Sequence, residues 1–230
     1  MLLKEVAHGL VHFFYPRLCE GCNRPLLGKE DVLCLSCGLE LPKTDFHHMP
    51  GNDTEMRLAG RVPFIRASSF AYFTNDGLLQ HLLHGLKYLN KKEIGVYLGK
   101  QFGNDLLKTD WVQSIEAIIP VPLHPKKEAA RGYNQSVLIG DGMSEVLHIP
   151  LLAQTLIRTR QTESQTQKNR AERLENMKDA FLVKDMSTLK GKHVLLIDDV
   201  LTTGATLEAC ALALLQVQDL KLSIATIGIA

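Results

Sequence analysis

The sequence predicts an α/β fold: a parallel five-stranded sheet flanked by helices, preceded by a small unit built on four cysteines. Three observations carry this. Short apolar runs at 117–121, 151–157, 180–183, 194–197 and 223–229 alternate with segments of helical periodicity, as in strands joined by crossover helices. The run 194–197 leads directly into two acids and a Thr/Gly loop, the arrangement of a ligand site beyond the carboxyl end of a parallel strand. Cys19, Cys22, Cys34 and Cys37 form two Cys-x2-Cys pairs near the N-terminus.

The chain has 230 residues, 45% hydrophobic and 22% charged, with a formal net charge of +1. That length suits one domain of ordinary size with a small appendage. The near-zero charge argues against bulk electrostatic attraction to nucleic acid and leaves only local patches. No apolar run reaches the roughly 18 residues of a membrane span, and no small-residue cleavage site follows the first fifteen residues. A cytoplasmic protein is expected.

In order, residues 2–15 place Leu3, Val6, Ala7, Leu10, Phe13 and Phe14 on one face, an amphipathic helix stopped by Pro16. That face packs on the protein or, in a second reading, lies on a membrane surface. Residues 17–42 carry the cysteine pairs. In a reducing compartment such pairs read as metal ligands, and four thiolates make a closed tetrahedral site for structural Zn²⁺; redox and iron–sulfur roles are the alternatives. With so little core of its own, this ribbon would draw most of its folding energy from the metal. His47 and His48 precede a polar stretch that reads as a linker.

Residues 64–73 suggest a strand or two. A helix is expected from Asn75 or Asp76, with Leu78, Leu82, Leu86 and Leu89 on one face, and a second over 94–107. The strand at 117–121 runs into the stiff basic turn Pro122-Leu-His124-Pro125-Lys126-Lys127, and Arg131-Gly-Tyr-Asn134-Gln135 precedes a helix to about Leu147. Between the strands at 151–157 and 180–183 lies a polar stretch, 158–176, read either as a lid over an anionic ligand or as a solvated, salt-bridged helix. Cys210 falls on the apolar face of the last helix and reads as core.

The residue types at 198–206 define the chemistry. Thr202, Thr203, Gly204, Ala205 and Thr206 open a helix whose free N–H groups and partial positive charge suit a phosphate. Asp198 and Asp199, acceptors only when ionised, suit the two hydroxyls of a ribose. An acidic pair that holds Mg²⁺ or caps the helix is the alternative.

This stretch resembles the phosphoribosyl-pyrophosphate (PRPP) motif of type I phosphoribosyltransferases. The whole chain resembles one family, the competence protein F (ComF/GntX) proteins. The matching features are Phe14-x-Pro16 leading into the cysteine pairs, Lys87-Tyr88, Pro120-Val-Pro122 with Arg131-Gly-Tyr-Asn134-Gln135, the run from Arg158 to Gln165 with Arg170 and Asn176, and Asp198 to Thr206. The resemblance implies a helix and zinc ribbon at 1–45 and a phosphoribosyltransferase-like domain at 46–230, with a hood over 46–112 and a core over 113–230. It further implies that Asp198 and Asp199 hold the PRPP ribose, Asp199 being the candidate catalytic residue, and that Thr202 to Thr206 hold the 5′-phosphate. Lys126, Lys127 and Arg131 are implied on the pyrophosphate side with bridging Mg²⁺, and Arg158, Arg160 and Arg170 as groups closing over it.

A PRPP-binding role in DNA uptake or utilisation is the expected function. Single-stranded DNA and a DNA-uptake helicase or membrane-channel component are the expected partners, the last implying a place at the inner membrane. The alternatives are an active phosphoribosyltransferase with an acceptor the sequence does not name, and a PRPP-responsive regulator.

Overall fold

The structure, a computed structural model, describes residues 16–159 and 180–230. The helix expected at 2–15 and nearly all of the stretch read as a lid lie outside the described residues. In chain order come α1 (Leu35–Glu40), α2 (Asp53–Leu58), β1 (Ala67–Tyr72), α3 (Leu78–Tyr88), α4 (Lys92–Leu106), β2 (Ala117–Pro120), α5 (Pro125–Arg131) and α6 (Gln135–Leu147). There follow β3 (Leu156–Arg158), β4 (Phe181–Val183), β5 (His193–Leu201), α7 (Ala205–Leu214) and β6 (Lys221–Ile229).

The parallel α/β class stands; among the described residues the sheet has four strands rather than five, in the order β1-β6-β5-β2 and every pair parallel. Two of the expected strands are not members. β3 and β4 pair antiparallel with each other, and only Leu151 keeps a parallel bridge, to Ile118. The burial of β4 explains this: Leu182 is exposed between buried Phe181 and Val183, so one face is wet, as an antiparallel pair allows and an interior parallel strand does not.

The fourth sheet strand is instead β1, from the stretch read as lead-in. It lies within residues 64–73, where a strand or two is expected though not as a member of the main sheet; Ser68 and Ser69, which break its apolar run, are both fully buried. Ser69 Oγ is satisfied by Thr226 Oγ1 at 2.7 Å and Thr54 Oγ1 at 2.8 Å. Nor is the expected linker a loose one. Asn52 is buried and caps α2, its Oδ1 accepting from the N–H groups of Thr54 and Glu55 while its Nδ2 donates to the carbonyls of Met49 and Ala67.

Successive residues of the strands feed two cores, as a pleat of period two requires. Ile118, Leu195, Ile197, Ala225 and Ile227 join the apolar faces of α3, α4 and α6, and Cys19, Val32, Leu33 and Leu41 of the ribbon belong to that same core. Ala117, Ile119, Val194, Leu196, Leu222 and Ile224 pack with α7, which contributes Leu207, Cys210, Ala211 and Leu214. Helices α4 and α6 touch through glycines: a Cβ on Gly99 would stand 2.0 Å from the Ile139 carbonyl oxygen, and one on Gly142 2.1 Å from that of Val96.

The register opens the crevice. β2 pairs with β5 from Ala117↔Val194 only as far as Pro120↔Ile197, while β5 and β6 stay paired to Leu201↔Ile229. The carboxyl end of β5, with Asp198 and Asp199, therefore outruns its neighbour.

Candidate functional site

The four cysteines meet in the ribbon: their Sγ atoms all lie within 4.8 Å of one another, and Cys22 Sγ and Cys34 Sγ are 3.7 Å apart. Thiolates around a tetrahedral Zn²⁺ at about 2.3 Å stand about 3.8 Å from each other, so this cluster is compatible with a zinc site. Backbone N–H groups support the sulfurs: Cys19 Sγ accepts from Gly21 at 3.4 Å and Cys34 at 3.3 Å, and Cys34 Sγ from Cys37 at 3.4 Å. Burial raises the Cys19 thiol, but the amides of Cys34, Cys22 and Gly21 outweigh it and bring it down to about 6, whereas burial and the neighbouring sulfurs push Cys37 up. Cys210 is fully buried in the α7 core, as expected.

The acidic pair is buried and organised by α6 and α3. Asp198, 9% exposed, accepts at Oδ1 from Ser136 Oγ at 3.0 Å and from the Asp199 N–H at 2.8 Å. Ser136 is held there because Asn134 caps α6, accepting from the Ser136 N–H, and donates to the Val121 carbonyl beyond β2. Burial, reinforced by the charge of Asp199, pushes Asp198 up to about 7. Asp199, 7% exposed, accepts at Oδ1 from the Val200 N–H at 2.7 Å. Its Oδ2 accepts no aligned hydrogen bond but lies 2.6 Å from Lys87 Nζ.

The loop follows directly. Thr202, Thr203 and Thr206 are exposed, Ala205 is half-buried, and Gly204 caps α7 in the left-handed region at φ +76°. A side chain there is strained, and a Cβ would also meet Arg61 Nη1 at 2.6 Å. Two arginines that the sequence reading missed hold the loop from outside. Arg57 Nη1 donates to the Thr202 carbonyl at 2.9 Å, and Arg61 donates to the Thr203 carbonyl while pairing with Glu208 at 3.1 Å. Across a trans peptide the N–H points opposite to the carbonyl, so the amides of Thr203 and Gly204 face away from these arginines. No motif flags Arg57, on α2, and Arg61, just after it; they reach the loop only through tertiary contacts.

A cavity of about 500 Å³ lies beside the acids, lined by Lys87, Tyr88, Asn90, Lys127, Ala130, Arg131 and Tyr133. Lys127 and Arg131 of α5 thus come together with Lys87 of α3. Arg131 also binds Gln135 and stacks its guanidinium 5.8 Å from the Tyr88 ring centre. Lys126 shares the helix without lining the cavity. Arg158 ends β3, half-buried, with its guanidinium 5.4 Å from the Phe181 ring. Arg160 and Arg170 lie outside the described residues. Buried carboxylates, a Gly-capped helix N-terminus and a cationic cavity at the end of one strand can together bind a ligand that carries hydroxyls and phosphates.

Residues 134–229 match the phosphoribosyl transferase domain family. The chain is 31% identical over 202 residues to DNA utilization protein YhgH of Escherichia coli K12, covering 86% of this chain and 84% of that protein. It is 30% identical over 207 residues to competence protein F of Haemophilus influenzae, with coverage of 86% and 84%. Among solved structures, adenine phosphoribosyltransferase of Leishmania donovani matches 73% of this chain and 86% of its own at 15% identity, with a TM-score of 0.42. No helix among the described residues is long and apolar enough to cross a membrane. With such identity along most of its length to both named relatives, the chain belongs to the competence protein F (ComF/YhgH) family.

Proposed function

We propose that this protein binds PRPP at the carboxyl end of β5, with a structural zinc in the ribbon. One observation carries the reading: the buried Asp198–Asp199 pair runs straight into a Gly-capped helix N-terminus, so acceptors for a ribose diol and donors for its 5′-phosphate sit within a few residues of each other. Lys127 and Arg131 would receive the pyrophosphate. Mg²⁺, bound together with the ligand, would neutralise part of the pyrophosphate charge. Asp199 would orient the ribose, and burial at the carboxylates would strengthen each polar contact by excluding water.

The relatives' names, DNA utilization protein and competence protein F, support a place for this binding in the handling of DNA. Calorimetric titration of the zinc-loaded protein with PRPP and Mg²⁺, beside the Asp198→Asn/Asp199→Asn double variant, tests the site. Saturable binding by the wild type that disappears in the folded variant is expected. No binding by a folded wild type would overturn the reading. If PRPP binds, pyrophosphate release on adding candidate acceptors distinguishes a transferase from a binding protein.

A further inference from the structure

Lys87 belongs at once to the acidic pair and to the cationic cavity. Its ammonium lies 2.6 Å from Asp199 Oδ2, with side-chain exposures of 24% and 9% for the two residues, and it lines the cavity with Lys127 and Arg131. Asp199 Oδ1 accepts from the Val200 N–H whereas Oδ2 accepts no aligned hydrogen bond, so Oδ2 is the freer oxygen for a ligand, and Lys87 stands on it.

We infer that Lys87 is a resident counter-ion that passes from Asp199 to the pyrophosphate of the incoming ligand, so that anion binding in the cavity uncovers the carboxylate for the diol. This rests on the PRPP reading of the site. The physical reason is the balance of charges. A half-buried ammonium that leaves Asp199 without another anion is poorly solvated, and the cavity it would enter already holds two cations. An anion between Lys127 and Arg131 reverses that balance and draws Lys87 toward itself. A ligand with a diol and a 5′-phosphate but no pyrophosphate cannot do so, and meets an acceptor still claimed by the lysine. Lys87 is then a selectivity device: it favours the ligand that carries both halves over either fragment.

The full-length, zinc-loaded protein is titrated with PRPP, ribose 5-phosphate and inorganic pyrophosphate, with Mg²⁺ throughout. Wild type is compared with Lys87→Met, Lys87→Gln and Lys87→Arg, each first checked for its folded circular dichroism. For Lys87→Met and Lys87→Gln, PRPP and pyrophosphate should weaken by about tenfold while ribose 5-phosphate holds or tightens, collapsing the preference for the complete ligand. Lys87→Arg, which keeps the charge, should retain much of that preference. Equal weakening of PRPP and ribose 5-phosphate would overturn the exchange, because a lysine that merely positions Asp199 affects every diol alike. Unchanged ratios in the variants, with PRPP binding still abolished by Asp198→Asn/Asp199→Asn, would defeat the role of Lys87 and leave the site standing. A wild type that binds no PRPP defeats both.

Discussion

Arg57, on α2, donates from its guanidinium to the Thr202 carbonyl 2.9 Å away and also binds the carbonyl of Ala230. A residue just beyond the stretch read as linker thus ties the start of the candidate phosphate loop to Ala230, the residue after β6. Its partners are carbonyls, so its role is to fix the peptide orientation of the loop.

Removing that tie should therefore affect ligand binding more than folding. Arg57→Ala is expected to weaken ribose 5-phosphate binding by about fivefold, the scale of one lost hydrogen bond, with little change in melting temperature. Calorimetry and thermal melts on the same preparation check this. A melting temperature that collapses with affinity intact would reverse the assignment.

The loop glycine should be less forgiving. Gly204 combines φ +76° with Arg61 Nη1 2.6 Å from its Cβ position, so Gly204→Ala meets backbone strain and displaces the arginine that holds the Thr203 carbonyl. A loss of about 1–2 kcal/mol in urea unfolding is expected, together with loss of phosphate-ligand binding.

The ribbon's apolar residues are continuous with the core under α3 and α4, so metal removal should be felt beyond residues 17–42. The purified protein is expected to carry one zinc per chain, measured by atomic emission. Chelation should expose the thiols of Cys19, Cys22, Cys34 and Cys37 and lower the melting temperature of the whole protein. Retention of full stability after complete zinc loss would mean that the cysteine cluster does not carry the metal's folding energy.

Much of this architecture is legible in the residues, for reasons that can be stated. Long buried strands such as β5 and β6 announce themselves by apolar runs that feed both faces, and α6, capped by Asn134, ends at Leu147 because its cap and periodicity agree. A strand at β1 is legible, but its place in the main sheet is not, because its burial depends on polar residues, Ser68 and Ser69, the latter with partners from distant elements. The segment 151–157 looked like a sheet strand because three-residue β3 and the Leu151 bridge add up to one apolar run interrupted by a turn. At the site, Asp198 through Thr206 could be read because strand, acids and loop are contiguous. Ser136, Arg57 and Arg61 could not, since each reaches the site only through tertiary packing. Lys87-Tyr88 was visible as a shared feature, and its ion pair with Asp199 needed coordinates.

The acidic pair should cost the free protein stability, and the cost should depend on pH. Burial, then the charge of Asp199, raises Asp198 to about 7 from an ordinary value near 3.8. A carboxyl whose pKa is higher folded than unfolded binds its proton more tightly in the fold. Its contribution is therefore most favourable below about pH 4, is lost progressively as pH rises toward 7, and is constant above that. Asn at this position cannot ionise, and its side-chain oxygen can keep both hydrogen bonds that Asp198 Oδ1 accepts, from Ser136 and the Asp199 amide. Asp198→Asn should then raise stability at pH 8 by about 1–2 kcal/mol, about 3–6 °C in melting temperature, with almost no gain at pH 4, while abolishing PRPP binding. The difference between thermal melts of the two proteins across that range cancels every titrating group that is not coupled to Asp198. A variant less stable than wild type at pH 8 would show that the ionised carboxylate is already compensated, by Lys87 among others, in the free protein.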